Sequence, residues 1–352
     1  MINLGELAQT VQTNCHISDA RHAGSYTLCV FLLKMREYFR WEHQIPLSHQ
    51  LEKNAVSQWL MEKELFWENV EEHPYVPLQL ESGEIEPFDA QAINQELNPL
   101  GYVYSSGYGV FQKPHFFLGQ LKKTYRKNGV TIYISSCEYA RDLVAPPAMS
   151  QGDTIFIREE SLRRLIWEKI EEWQWKKDQD TAMARALDFY RGENDMERIL
   201  DLMCDNESNN ALLHEIGEAE AGKLLGPEWE EMLAGIPRSK TEFQIRAIRD
   251  HLADCISTLP SLVEEENIPS LHFYFANLTA MRKQLFPSAI EAYNQWAQTG
   301  QLTLIDTVAA AGKRYWLDVS KEILAHWRRS RGDNPDQPNE FFHELENHIQ
   351  PL

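Results

Sequence analysis

Basic residues are in short supply. The 352-residue chain sets 34 Lys and Arg against 53 Asp and Glu, a formal net charge of −19. A field of that sign repels phosphate backbones and anionic lipid, so nucleic acid and membrane surfaces are excluded as partners over most of the molecule. Cysteine is scarce too. The five cysteines stand scattered at 15, 29, 137, 204 and 255. An odd count without a C-x-x-C pair excludes a disulfide framework and a zinc ribbon, and points to a reducing compartment. Long apolar runs are missing: "YTLCVFLLKMREYF" reaches Lys34 too soon to span a bilayer. The opening "MINLGELAQTVQTNCHISDARHAG" has no basic stretch followed by an apolar one, so no secretory leader is expected. A bacterial-type cytoplasm is the expected location. There is no P-loop, no G-x-G-x-x-G, no G-x-S-x-G and no kinase set. The glycines and lysine of "SSGYGVFQKPHF" are spaced for a hairpin, not a phosphate cradle.

What is present is an ordinary globular balance, 43% hydrophobic and 25% charged, in a chain long enough to bury a core without staples. The periodicity predicts a mainly α protein, a multi-helix bundle with a small β-containing insertion. Residues 1–73 read as the N-terminal helices of the bundle. A helix from Ser48 to Glu72 is expected, with Ser48 as cap and Leu51, Val56, Trp59, Leu60 and Leu65 as its buried stripe. Residues 74–100 are weakly patterned and read as a connector. Residues 101–158 turn β-branched, aromatic and Gly-punctuated, and carry the insertion. Residues 159–332 return to helix, and 333–352 form a C-terminal tail. The tryptophans of "LIWEKIEEWQWKK" are spaced for core packing first and a partner surface second.

Chemistry is concentrated in three short stretches. In "NALLHEIGEAEAGKLLG", His214 and Glu218 stand one helical turn apart, with Glu215 beside them and Ala211, Gly217, Ala221 and Gly222 nearby. Those small residues let a neighbouring helix approach closely and make the polar ridge interior. Carboxylate and imidazole at one-turn spacing, repeated on facing helices, suit a carboxylate-bridged iron or manganese centre. The order here is His-Glu-x-x-Glu where such sites carry Glu-x-x-His. The stretch "HEIGE" also begins like the zinc-hydrolase H-E-x-x-H, but Glu218 replaces the second histidine. In "NCHISDARHAGSYTLC", Cys15, Asp19, His22, Tyr26 and Cys29 share a ridge if the helix is continuous, and Asp19 with His22 is a ligand pair. The competing reading is a helix start with Ser18 or Asp19 as cap. In "EFQIRAIRDHLADC", Asp250, His251 and Asp254 offer a further set, against the plainer reading of an Arg246–Asp250 surface ion pair. His272 reads as a hydrogen-bonded core histidine.

The expected site is therefore metal-binding, with Asp19, His22, His214, Glu218, Asp250, His251 and Asp254 as ligands and Glu215 as ligand or general base. Iron or manganese is expected ahead of zinc, in a pair that activates oxygen or water for an unidentified small-molecule substrate. The requirement is that the three stretches converge. The alternative is a non-enzymatic acidic protein that binds a protein partner or a second copy of itself, with buried His/Glu hydrogen-bond networks. The phrases "CHISDARHAGSYTLCVFLLKMREYFRWE" and "LLHEIGEAEAGKLLG" resemble an uncharacterised family of bacterial cytoplasmic proteins along most of the chain. The resemblance implies a bacterial stand-alone protein and lends no residue roles.

Overall fold

The computed structural model describes residues 2–109, 112–127, 129–176, 180–236, 239–333 and 350–352. The expected tail at 333–352 lies outside the described residues except at its two ends. The protein is mainly helical, with a five-stranded sheet in its N-terminal region. The chain divides into two compact units, Met1–Glu168 with Glu193–Ser208, and Lys169–Gly192 with Asn209–Leu352.

The first unit opens with α1 (Leu4–His22), α2 (Leu28–Glu42) and α3 (Lys53–Val70). A two-stranded ribbon, β1 (Leu78–Leu80) and β2 (Gly83–Ile85), leads to α4 (Ala90–Leu97). The sheet follows: β3 (Tyr102–Tyr108), β4 (Pro114–Lys127), β5 (Val130–Arg141), β6 (Ala148–Gln151) and β7 (Thr154–Arg158), in the order β3-β4-β5-β7-β6. All neighbours are antiparallel except β5 and β7. Helix α5 (Glu159–Lys176) begins in this unit.

Helix α1 lies on the sheet because Leu7, Val11 and Cys15 recur every four residues and bury against Phe116, Leu118 and Ala140. Three amide side chains then act as substitute ladder partners. Gln12 accepts from the Arg141 N–H at 3.1 Å and donates to the Arg141 carbonyl at 3.1 Å. Asn14 does the same with Val76, and Asn94 with Tyr104. An amide carries both donor and acceptor, so each satisfies both backbone groups of one residue.

Residues 74–100 are not a bare connector. Leu78, Ile93 and Leu97 are fully buried in the same core. Their pattern is weak in sequence because each short element gives the core only one or two residues. The helix expected from Ser48 begins instead at Lys53, with Glu52 as N-cap. The Ser48 N–H is taken by Glu197. Helix α2 also departs from its apolar reading. Met35, Tyr38 and Phe39 are buried, while Leu28 and Leu33 are 71% and 49% exposed.

The second unit is helical throughout its described residues. It holds α6 (Ala182–Asp188), the end of α7 (Met196–Leu225), α8 (Pro227–Gly235) and α9 (Lys240–Ala253). Then come α10 (Leu259–Glu264), α11 (Ile268–Asn277), α12 (Ala280–Leu285), α13 (Pro287–Thr299) and α14 (Thr303–Asp333). Trp229, Ile245, Ile248, Leu252, Leu271, Ile305 and Trp316 form its fully buried centre. Between α9 and α10 the chain stays helical but widens into a π turn, Asp254–Thr258. Pro260 explains the widening. It lacks an N–H, and its ring clashes with the carbonyl four residues earlier in a regular helix.

Candidate metal centre

The site is built where α7 meets α9. His214 and Glu218 stand one turn apart on α7, with Gly217 between them. A Cβ at Gly217 would lie 2.3 Å from the Ala253 carbonyl oxygen, so the two helices touch backbone to backbone at this point. Only glycine permits that approach. It sets the His214–Glu218 ridge against Asp250 and Asp254, themselves one turn apart on α9 and the π turn. One ligand atom from each of His214, Glu218 and Asp250 lies within 4.8 Å of the others.

Asp254 organises the group. Its Oδ1 accepts from His214 Nδ1 at 2.7 Å and from Thr258 Oγ1 at 2.9 Å. Its Oδ2 accepts from Tyr274 Oη at 3.0 Å and from Arg282 Nη2. With Nδ1 committed to Asp254, the Nε2 of His214 stands 3.8 Å from Glu218 Oε1. Glu218 Oε1 also accepts from Arg249 Nη2 at 2.8 Å. The charges respond to this crowding. Burial pushes the His214 imidazole down, but Asp254, backed by Glu218 and Asp250, outweighs it and raises its pKa to about 10. Burial pushes Asp254 up, and Arg282 and His214 overturn that, holding its carboxyl well below the usual range. Asp250 is raised, by burial first and then by the like charge of Glu218.

The structure thus brings His214, Glu218, Asp250 and Asp254 together, and distributes the other expected residues elsewhere. Asp254 has both oxygens occupied and stands behind His214 as its orienting carboxylate. His251 lies in the core of the unit. Its Nε2–H donates to the Arg282 carbonyl at 3.0 Å and its ring stacks on Trp316 at 5.3 Å. Burial, then the Arg282 charge, hold it neutral, with a pKa of about 3. Glu215 is buried, about 100° around α7 from His214, off the ligand ridge. Asp19 and His22 belong to the first unit. Asp19 accepts from Lys113 Nζ at 2.5 Å and from the Leu143 N–H at 2.9 Å, and the His22 ring is bound to the Ser18 carbonyl of its own helix at 2.8 Å. Helix α1 ends at His22, so the ridge running on through Tyr26 and Cys29 is broken. The expected Arg246–Asp250 pair is replaced by Arg246 with Glu242 at 2.9 Å. His272 is a buried core histidine, bound to Tyr293 Oη at 3.0 Å and stacked on Trp296.

Sequence reasoning missed the cations of the site. Arg249 is the more legible of the two, one turn before Ala253 on the face toward α7. Arg282 comes 28 positions after Asp254 on a separate short helix, and no local spacing announces it. Chemically, the cluster offers an imidazole nitrogen and two carboxylates converging on a common point. Those are the donors that zinc, iron and manganese accept. An ion with ligands about 2.1 Å away needs neighbouring donors about 3 Å apart. The cradle is wider than that, with His214 Nε2 and Glu218 Oε1 3.8 Å apart.

The class so defined is a mainly helical, two-unit protein with a His/Glu/Asp cluster between two helices of its second unit. The chain belongs to a family of unknown function, DUF6866, whose N-terminal domain matches residues 6–158 and whose C-terminal domain matches residues 163–344. No curated protein and no solved structure matches it. Among the described residues, no helix is long and apolar enough to cross a membrane.

Proposed function

We propose that the second unit binds one divalent metal ion, iron or manganese ahead of zinc, through His214 Nε2, Glu218 and Asp250, and that the protein is a metal-dependent enzyme. The observation that carries this reading is the carboxylate behind the histidine. Asp254 holds Nδ1 at 2.7 Å and so turns Nε2 toward the other two donors. A histidine ligand oriented by a carboxylate, itself held by further hydrogen bonds, is the usual support of a metal site. With three protein ligands the ion keeps positions for water or substrate, and the chemistry it supplies is activation of that water or of oxygen. One ligand set among the described residues supports a single ion in place of the expected pair. The reading goes with a reducing cytoplasm, in which the five unpaired cysteines are stable as thiols.

A second reading has its own support. Arg249, Arg282 and His214 can neutralise Glu218, Asp250 and Asp254 without any metal. The cluster would then be a buried polar network in an acidic interaction protein. Elemental analysis of untagged protein, purified without chelator or nickel resin, separates the two. About one equivalent of iron, manganese or zinc, lost in His214→Ala while helical circular dichroism persists, is the expected result. Wild-type protein that holds no metal, and gains no thermal stability from added iron, manganese or zinc, refutes the metal reading.

A further inference from the structure

The first unit contains a second concentration of charge, on a different footing from the cluster above. Near the end of α1, a cavity of about 160 Å³ is lined by His22, Ser25, Tyr26, Lys34, Lys113 and His115, with Val144 as its one aliphatic side chain. Among the described residues, no acidic side chain lines it. That is unexpected in a chain with a net charge of −19. Two of the nearby carboxylates lie behind the wall. Asp19 is fully buried under Lys113 and Asp142 under His115, with their side chains 0% and 1% exposed. Asp19 is turned toward the Lys113 ammonium and Asp142 toward the His115 ring, and each is braced by backbone, Asp19 by the Leu143 N–H and Asp142 by the Ala145 N–H. These pairs fix Lys113 and His115 in place, as the rigid support of a binding surface requires.

Lys34 differs from the other two. It is half-buried at the cavity, and its ammonium lies 5.8 Å from the centre of the Tyr26 ring. Among the described residues it has no ion-pair partner. Burial first, then the Arg164 charge, push its pKa down, with Lys113 adding to them and Glu168 and Asp142 offsetting part of the effect. A half-buried charge without a direct ion pair is costly unless something comes to pair with it. Lys113 adds donor capacity. An ammonium has three N–H donors, and Asp19 and the Tyr26 hydroxyl use two. A larger cleft in the same unit, of about 700 Å³ beside Trp41 and Tyr139, lacks this property. Its arginines 40, 141, 163 and 164 each face a carboxylate partner.

We propose that this cavity binds a small oxyanion, inorganic phosphate or a short carboxylate, between Lys34 and Lys113, with Tyr26 and His115 alongside. The volume sets the size. At roughly 30 Å³ per water, the cavity holds the equivalent of about five waters, which suits a phosphate or a carboxylate of two to three carbons and excludes a nucleotide. The lining sets the sign. The inference is independent of the metal centre, which shares none of these residues.

The test is thermal unfolding and isothermal titration calorimetry of the full chain with sodium phosphate and with sodium acetate, each against sodium chloride at matched ionic strength. A saturable stabilisation by at least one of the two anions is expected. Phosphate alone assigns a tetrahedral guest, acetate alone a carboxylate, and both together the shared oxyanion chemistry. Lys34→Met should weaken binding about tenfold or more while leaving the unfolding temperature in chloride unchanged or higher, since it removes a half-buried unpaired charge. Lys34→Arg should retain most of the binding, which separates lost charge from lost packing. No saturable effect of either anion on wild type overturns the proposal, and so does an undiminished response in Lys34→Met.

Discussion

Gly217→Ala tests how the second unit brings its site together. In an exposed helix the change is stabilising by about 0.8–1 kcal/mol, because alanine is the better helix former. Here the new Cβ would sit 2.3 Å from the Ala253 carbonyl oxygen and 2.8 Å from its carbon. Backbone cannot swing aside as a side-chain tip can, so α7 and α9 must part by about 1 Å. Overpacking of that kind costs about 1–3 kcal/mol. The same parting stretches the 2.7 Å bond from His214 Nδ1 to Asp254 toward the limit of a hydrogen bond, at a further cost of about 1.5–3 kcal/mol for a charge-assisted contact. The balance is a loss of about 1.5–5 kcal/mol. Gly222 supplies the control. It lies on the same helix, and a Cβ added there would meet nothing within 4 Å. Gly222→Ala should therefore stabilise by up to about 1 kcal/mol. Urea unfolding followed by circular dichroism gives both values, and the imidazole N–H resonance of His214 reports whether its bond to Asp254 survives. Equal stabilisation by the two substitutions, with that resonance unmoved, would refute the close-contact argument.

The first unit makes its own predictions. Lys113→Met leaves the Asp19 carboxylate buried without its cation, and a loss of about 3–5 kcal/mol is expected. Adding Asp19→Asn should restore most of it, and a double-mutant cycle by urea unfolding that shows no coupling would break the pair. His16 accepts from Trp67 Nε1 at 3.2 Å, and burial, then Lys63, lower its pKa to about 3. The folded form therefore binds fewer protons than the unfolded one. Its contribution is complete above about pH 6.5 and is lost as pH falls toward 3, by up to about 1.4 kcal/mol per pH unit. His16→Asn, which keeps an acceptor for Trp67, should flatten the dependence of unfolding free energy on pH between those limits, and an unchanged slope would remove His16 from the acid response.

Much of the second unit's site is visible in the sequence, and little of the first unit's is. The His214–Glu218 and Asp250–Asp254 pairs are legible because a helix turns local spacing into shared direction. The small residues around Gly217 are legible as a place of close approach for the same reason. What the spacing does not reveal is the partner across the gap. Asp19 looks like a ligand from its own helix and proves to be the counter-ion of Lys113, 94 positions later. His115 and Asp142 come together through the pairing of β4 with β5 and the turn beyond it, which no periodicity encodes. Arg282 is in the same position relative to Asp254. Chain-distant ion pairs depend on tertiary geometry, and a sequence with 53 acidic residues offers many candidate pairs for each cation.

Asp250 separates the two readings of the second unit more sharply than any other residue. A buried ion network is a weak source of stability, since desolvation offsets most of the attraction. Asp250 is its least settled member. Burial and the neighbouring Glu218 charge raise its pKa, whereas Glu218 and Asp254 are each held low by an arginine and His214. A neutral amide of the same shape at this position relieves the repulsion of Glu218 and brings an N–H donor toward it. In metal-free protein Asp250→Asn should therefore leave stability unchanged or raise it by about 1 kcal/mol. As a ligand, however, Asp250 contributes a charged oxygen that the amide replaces poorly, and metal affinity should fall by about tenfold to a hundredfold. Urea unfolding of chelator-treated protein and titration with manganese measure the two effects separately. Unimpaired manganese binding in Asp250→Asn removes Asp250 from the ligand set. A large loss of stability without metal shows that its carboxylate is held there by the network itself.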